Sequence, residues 1–66
     1  MNPIKIVPGQ ENNHARYSML AHRRRAEEAE KDARTYRQAG WAALAELSDT
    51  EARAAWELAE EYERLI

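Results

Sequence analysis

Few side chains in this sequence could do covalent or metal chemistry, and their spacing works against each of them. His14 and His22 stand eight residues apart, not the i, i+4 spacing with which a helix offers two imidazoles to one zinc ion. His22 is followed at once by Arg23-Arg24-Arg25, whose positive charge repels a cation. Glutamates gather at Glu27, Glu28 and Glu30 and again at Glu57, Glu60 and Glu61. No Glu-x-x-His pair accompanies them as in a di-metal bundle, so both groups read as solvated helix faces. Ser18 and Ser48 are the only serines, and Gly9 and Gly40 the only glycines. That leaves no nucleophile beside an activating base and no glycine-rich phosphate cradle. Cysteine is absent, which removes thiolate metal sites and disulfides together. The expectation is a protein that is not an enzyme and uses no cofactor or metal.

What remains is chemistry of recognition. Arg23, Arg24 and Arg25 head a basic stretch that also contains Arg16, Lys31, Arg34 and Arg37, whereas residues 49–66 are mainly acidic. Such a helix could follow phosphates. Yet three consecutive arginines point three ways on a helix, and no aromatics are interleaved with them. The plainer expectation pairs these arginines with Glu60, Glu61 and Glu63, in the same chain or a second one. Trp41, Trp56 and Tyr62 form a heavy aromatic load, and Trp, Tyr and Arg dominate protein-binding hot spots. Trp41 and Trp56 flank Ser48 from either side, so an aromatic patch at the end of a hairpin is expected there.

The elements that would carry these residues are helical. From His22 onward a seam steps by threes and fours through Ala26, Ala29, Ala33, Tyr36, Gly40, Ala43 and Leu47, which is the spacing of one helix face. Small residues on it allow close helix approach and suggest self-association. Asn12 or Asn13 is a suitable N-cap, and no helix breaker follows until Gly40. That glycine could end the helix as a C′ residue, but the seam keeps register across it, which favours continuation at a cost of about 1 kcal/mol. Ser48-Asp49-Thr50-Glu51 matches a capping box, so a last helix is expected from about Asp49 to Leu65. Its stripe would be Ala52, Ala55, Leu58, Ala59, Tyr62, Leu65 and Ile66.

A continuous first helix of about 35 residues would be some 52 Å long. A last helix of about 17 residues would then leave Met19, Ala26 and Ala29 uncovered, and a second copy is the simplest cover. Residues 1–12, with Pro3, Pro8, Gly9 and the run Ile4, Ile6, Val7, read as an extended or flexible arm. The expected fold is therefore all-α: an arm over 1–12 and a single hairpin domain over 13–66, in a homodimeric four-helix bundle or as a monomer.

Size and charge bound the rest. A 66-residue chain buries only about 60% of its unfolded surface, and thirteen of its hydrophobic residues are alanine. A partner surface is expected to supply the missing stability. A net charge of −2 is not that of a general nucleic-acid binder, and no apolar run approaches membrane-spanning length. No secretory signal is visible, which makes the cytoplasm the expected compartment. The expected function is a protein–protein interaction module, acting as adaptor, inhibitor or regulatory subunit, in the style of small phage or mobile-element proteins. The alternatives are a nucleic-acid-binding regulator using Arg23–Arg25 and a self-assembling structural protein.

Overall fold

The computed structural model describes residues 11–66. The arm expected over residues 1–12 lies mostly outside them; helix begins at Glu11, ahead of the caps expected at Asn12 or Asn13. Two helices make up the described chain: α1, Glu11–Gln38, and α2, Ala42–Glu63. They are about 42 Å and 33 Å long at 1.5 Å per residue, and they pack antiparallel along one seam.

The first correction concerns Gly40. The helix does not run through it: Gly40 adopts φ +83° and closes α1 as its C′ residue. The Trp41 amide donates to the Tyr36 carbonyl at 2.8 Å, and the Gly40 amide to the Arg37 carbonyl at 3.0 Å. These are the two bonds of a Schellman motif, whose outer residues commonly touch through apolar side chains. Here those residues are Tyr36 and Trp41, with ring centroids 6.0 Å apart. The register of the small-residue seam across Gly40 is thus overridden by local turn chemistry. α2 starts without a side-chain cap; the Trp41 carbonyl accepts its first helical bond from Ala45 at 3.0 Å.

The second correction follows from the first. With the reversal at Gly40, Ser48-Asp49-Thr50-Glu51 falls inside α2 and forms no helix start. Ser48 is buried in the interhelical seam, where its small side chain fits between Ala45 and Ala52. The core reads Ala15, Met19, Ala26, Ala29 and Ala33 on α1 against Ala45, Ser48, Ala52, Ala55 and Ala59 on α2. Half-buried His22, Tyr36 and Tyr62 continue the same rows. The steps alternate strictly between three and four, the heptad spacing of a two-stranded coiled coil. Ala26 and Ala29 are therefore covered by α2 of the same chain rather than left bare, and Met19, beyond the end of α2, is buried as well. Ala43 and Leu47, expected to extend the α1 seam, are exposed on α2.

Two substitutions test this arrangement. No atom lies within 4 Å of a Cβ built on Gly40, so Gly40→Ala should lower unfolding free energy by backbone strain alone, about 1–2 kcal/mol. D-alanine at the same position, accessible by chemical synthesis, should not. Ser48→Ala should leave stability unchanged or raise it by about 0.5 kcal/mol through helix propensity. A helix-starting Ser48 would instead lose about 1 kcal/mol. Chemical denaturation of the three variants reads both.

Candidate functional site

The seam admits large side chains only towards its ends, at Met19, His22, Tyr36 and Tyr62, and the leucines are displaced outward. All five leucines are exposed: Leu20 (52%), Leu44 (44%), Leu47 (61%), Leu58 (40%) and Leu65 (65%). Tyr17 and Trp41 are exposed as well. Isolated exposed leucines are ordinary, but contiguous ones mark contact surfaces.

Two such surfaces stand out among the described residues. On the outer side of α1, Tyr17, Leu20, Ala21, Arg24 and Arg25 line one shallow, mainly apolar groove. On α2, Leu44, Leu58 and Leu65 recur at seven-residue spacing with Glu51 between them, and Leu47, Ala54 and Glu61 form the adjoining row. Leu58, Glu61, Tyr62 and Leu65 border a groove at the far end of those rows.

The charged residues divide between the flanks of the hairpin. Arg37 donates to the Asp49 carboxylate beside the turn, and Arg23 reaches Glu63 at 3.4 Å near the open end. The hydrogen bond to Asp49, reinforced by that carboxylate's charge, raises the Arg37 pKa above the usual arginine value. Glu30, Asp49, Arg53, Trp56 and Glu60 share a groove on this flank. Arg24, Arg25, Glu28, Asp32 and Glu51 share one on the opposite flank. Of the basic run, Arg23 thus finds one of the glutamates expected for it, while Arg24 and Arg25 stand exposed beside Tyr17 and Leu20.

The aromatics are not gathered as expected. Trp41 lies at the turn, half exposed against Tyr36, whereas Trp56 sits fifteen residues further along α2, about 22 Å away. No common end patch forms. Tyr62 stacks on His22, with ring centroids 5.5 Å apart and planes 15° from parallel. The imidazole Nδ1 is buried and has no hydrogen-bond partner among the described residues. Ala26, Ala29, Ala33 and Tyr36, expected to serve self-association, are occupied inside the hairpin.

The single stripe expected on the last helix divides in two: Ala52, Ala55 and Ala59 are buried, whereas Leu58, Leu65 and Ile66 are exposed. The signal for this division was present: on α2 the alanines and leucines fall on separate heptad positions, and one helix carrying two apolar faces has two neighbours to satisfy. Among the described residues no cluster of three His, Asp or Glu side chains could hold a metal ion, and no helix is long and apolar enough to cross a membrane. The class of protein defined by this geometry is an antiparallel two-helix hairpin sealed by small residues, all-α over the described residues, with its leucines outside. No family model, curated protein or solved structure matches the chain.

An unpartnered buried imidazole nitrogen carries a cost, while the stack on Tyr62 does not require it. His22→Phe keeps a flat ring at that position and removes the unsatisfied atom, so unfolding free energy should rise by about 1 kcal/mol. A fall in thermal denaturation would mean that the imidazole makes a contact the ring alone does not replace.

Proposed function

We propose that the chain is a small, non-enzymatic protein–protein interaction module, serving as an adaptor, inhibitor or regulatory subunit of a larger protein. The observation that supports this reading is the inversion of the hairpin's apolar content: alanines inside, leucines, Tyr17 and Trp41 outside. The groove of Tyr17, Leu20, Ala21, Arg24 and Arg25 combines an aromatic anchor, an aliphatic floor and two guanidinium groups, the residue types that dominate binding hot spots. A partner suited to it presents an apolar residue ringed by carboxylates, since Arg24 and Arg25 can each hold a carboxylate through paired N–H donors.

The second reading is nucleic-acid binding by the same arginines, favoured by the exposure of Arg24 and Arg25. Arg23, the third member of that run, is shared with Glu63, and Glu28 and Asp32 stand in the adjoining groove. Both weaken the field along a phosphate backbone.

Immobilised chain used as bait separates the two. A protein partner should resist a rise from 50 to 200 mM salt and weaken at least about tenfold with Leu20→Glu, which leaves every arginine in place. Retention of duplex or single-stranded nucleic acid that falls steeply over the same range, lost with Arg24→Glu/Arg25→Glu and indifferent to Leu20, would replace the first reading with the second.

A further inference from the structure

The face of α1 that packs on α2 runs on past the end of α2. Ala15, Met19, His22, Ala26, Ala29 and Ala33 follow one another by fours and threes, yet α2 stops at Glu63. Arg23 reaches Glu63, and His22 stacks on Tyr62, which sets the end of α2 level with residues 22–23. Ala15 lies about 12 Å beyond that level. Arg64, Leu65 and Ile66 continue for at most about 5 Å, as a turn whose last residue, Ile66, is largely exposed. Nothing in α2 or in that turn is level with Ala15, which is nonetheless only 3% exposed, and Met19 is only 8% exposed. A helix backbone does not bury an alanine by itself: Ala21 and Ala54, on outward faces, are exposed.

We propose that the chain's own residues 1–10, which lie outside the described residues, dock on this end of the seam. Ile6 lies over Ala15 and Ile4 over Met19, where further turns of α2 would otherwise run.

Reach is the first argument. Pro8 and Gly9 stand just ahead of Glu11, the first residue of α1. Proline then glycine suits the two central positions of a type II turn, which at this point sends Val7 and the residues before it back along α1. Seven residues of extended chain span about 23 Å, more than the overhang requires.

Spacing is the second. Alternate residues of an extended segment point to one side and lie about 6.6 Å apart. Residues four apart on a helix share a face and lie about 6 Å apart. Ile6 and Ile4 therefore step along α1 in time with Ala15 and Met19, while Lys5 between them turns to water. Ile4 at that point also comes level with Ile66.

Composition is the third. Apart from Ile66, the valine and isoleucines of the whole chain are Ile4, Ile6 and Val7. These residues favour extended backbone, and they are tethered within a few residues of the one stretch of seam that has no second helix.

The test uses the full chain, which lacks cysteine. Under mild oxidation Ile6→Cys/Ala15→Cys should close a disulfide within the 7.7 kDa chain. It should do so at least about tenfold faster than Lys5→Cys/Ala15→Cys, because docking raises the effective concentration of one side of the segment only. Equal rates overturn the proposal, since tethering alone would produce them. A disulfide-linked dimer overturns it as well and assigns the end of the seam to a second copy. A second measurement leaves α1 untouched: Ile4→Asp/Ile6→Asp should lower the thermal midpoint by about 5 °C or more, and Lys5→Asp should not. An unchanged midpoint in the double variant, or equal falls in both, counts against docking. The α1 groove plays no part in these measurements, so the binding-module reading and its Leu20→Glu test stand or fall separately.

Discussion

Everything in this structure depends on how closely two helix backbones approach when the residues between them are alanines. Packed helices usually lie 8–10 Å apart, the distance set by the side chains at the contact. With Ala26, Ala29 and Ala33 packed against the α2 row of Ala45, Ala52, Ala55 and Ala59, that contact belongs to methyl groups and backbone. A methyl removed from water contributes only about 0.8 kcal/mol, so the seam is dense but weakly driven. It also has no tolerance for size. A leucine inserted there would push the axes apart and open gaps along the whole seam, and the five leucines of the chain all stand outside it. The exposed apolar surface is thus a direct consequence of the small-residue interior.

Such a seam has a second weakness, which the turn corrects. Alanine matches alanine whether or not one helix slips by a heptad, so the core alone does not define register. The loop does. Gly40 at φ +83° and the paired bonds to Tyr36 and Arg37 end α1 at one residue, and α2 begins two residues later. Met19 and the His22–Tyr62 stack mark the open end as different from the closed one, and the two ion pairs agree with the same alignment. Exposed bridges contribute little stability, but a slipped register would break both at once. They act by making the alternatives worse, with the glycine making the correct register reachable.

Read from sequence, the helical class, the seam of α1 from His22 to Tyr36 and the Arg23–Glu63 attraction were all legible, because each follows from three- and four-residue spacing or from charge. The position of the reversal was not. Two motifs competed, a possible C′ glycine at 40 and a capping box at 48, and both obey local rules. At Gly40 the turn is completed by a contact between the outer residues of its own motif, Tyr36 against Trp41, whereas nothing comparable supports the capping box. Ser48 was then free to serve as a small residue in the seam, a role indistinguishable in one dimension from a cap. The two tryptophans were placed together for the same reason: a hairpin centred at Ser48 would have joined them, and one centred at Gly40 puts only Trp41 at the bend.

The reversal also changes what the outer surface means. With the bend at Ser48, Leu44 and Leu47 would have belonged to the first helix and Leu58 and Leu65 to the second, with no common face. With the bend at Gly40 all four lie on α2, on two adjoining heptad rows that run beside the alanine row. The hairpin is consequently two-sided: Arg37–Asp49 and the groove of Glu30, Arg53 and Trp56 occupy one flank, and the leucine rows the other. A flank crossed by ion pairs is settled by water and by its own charges. On the other flank the leucines of α2 alternate with Glu51 and Glu61 and stand beside the groove that Arg24, Arg25, Glu28 and Asp32 line on α1, and neither carboxylate shields the leucines a turn away. One glycine at positive φ therefore sets the register of the core and also decides which side of the molecule is left apolar.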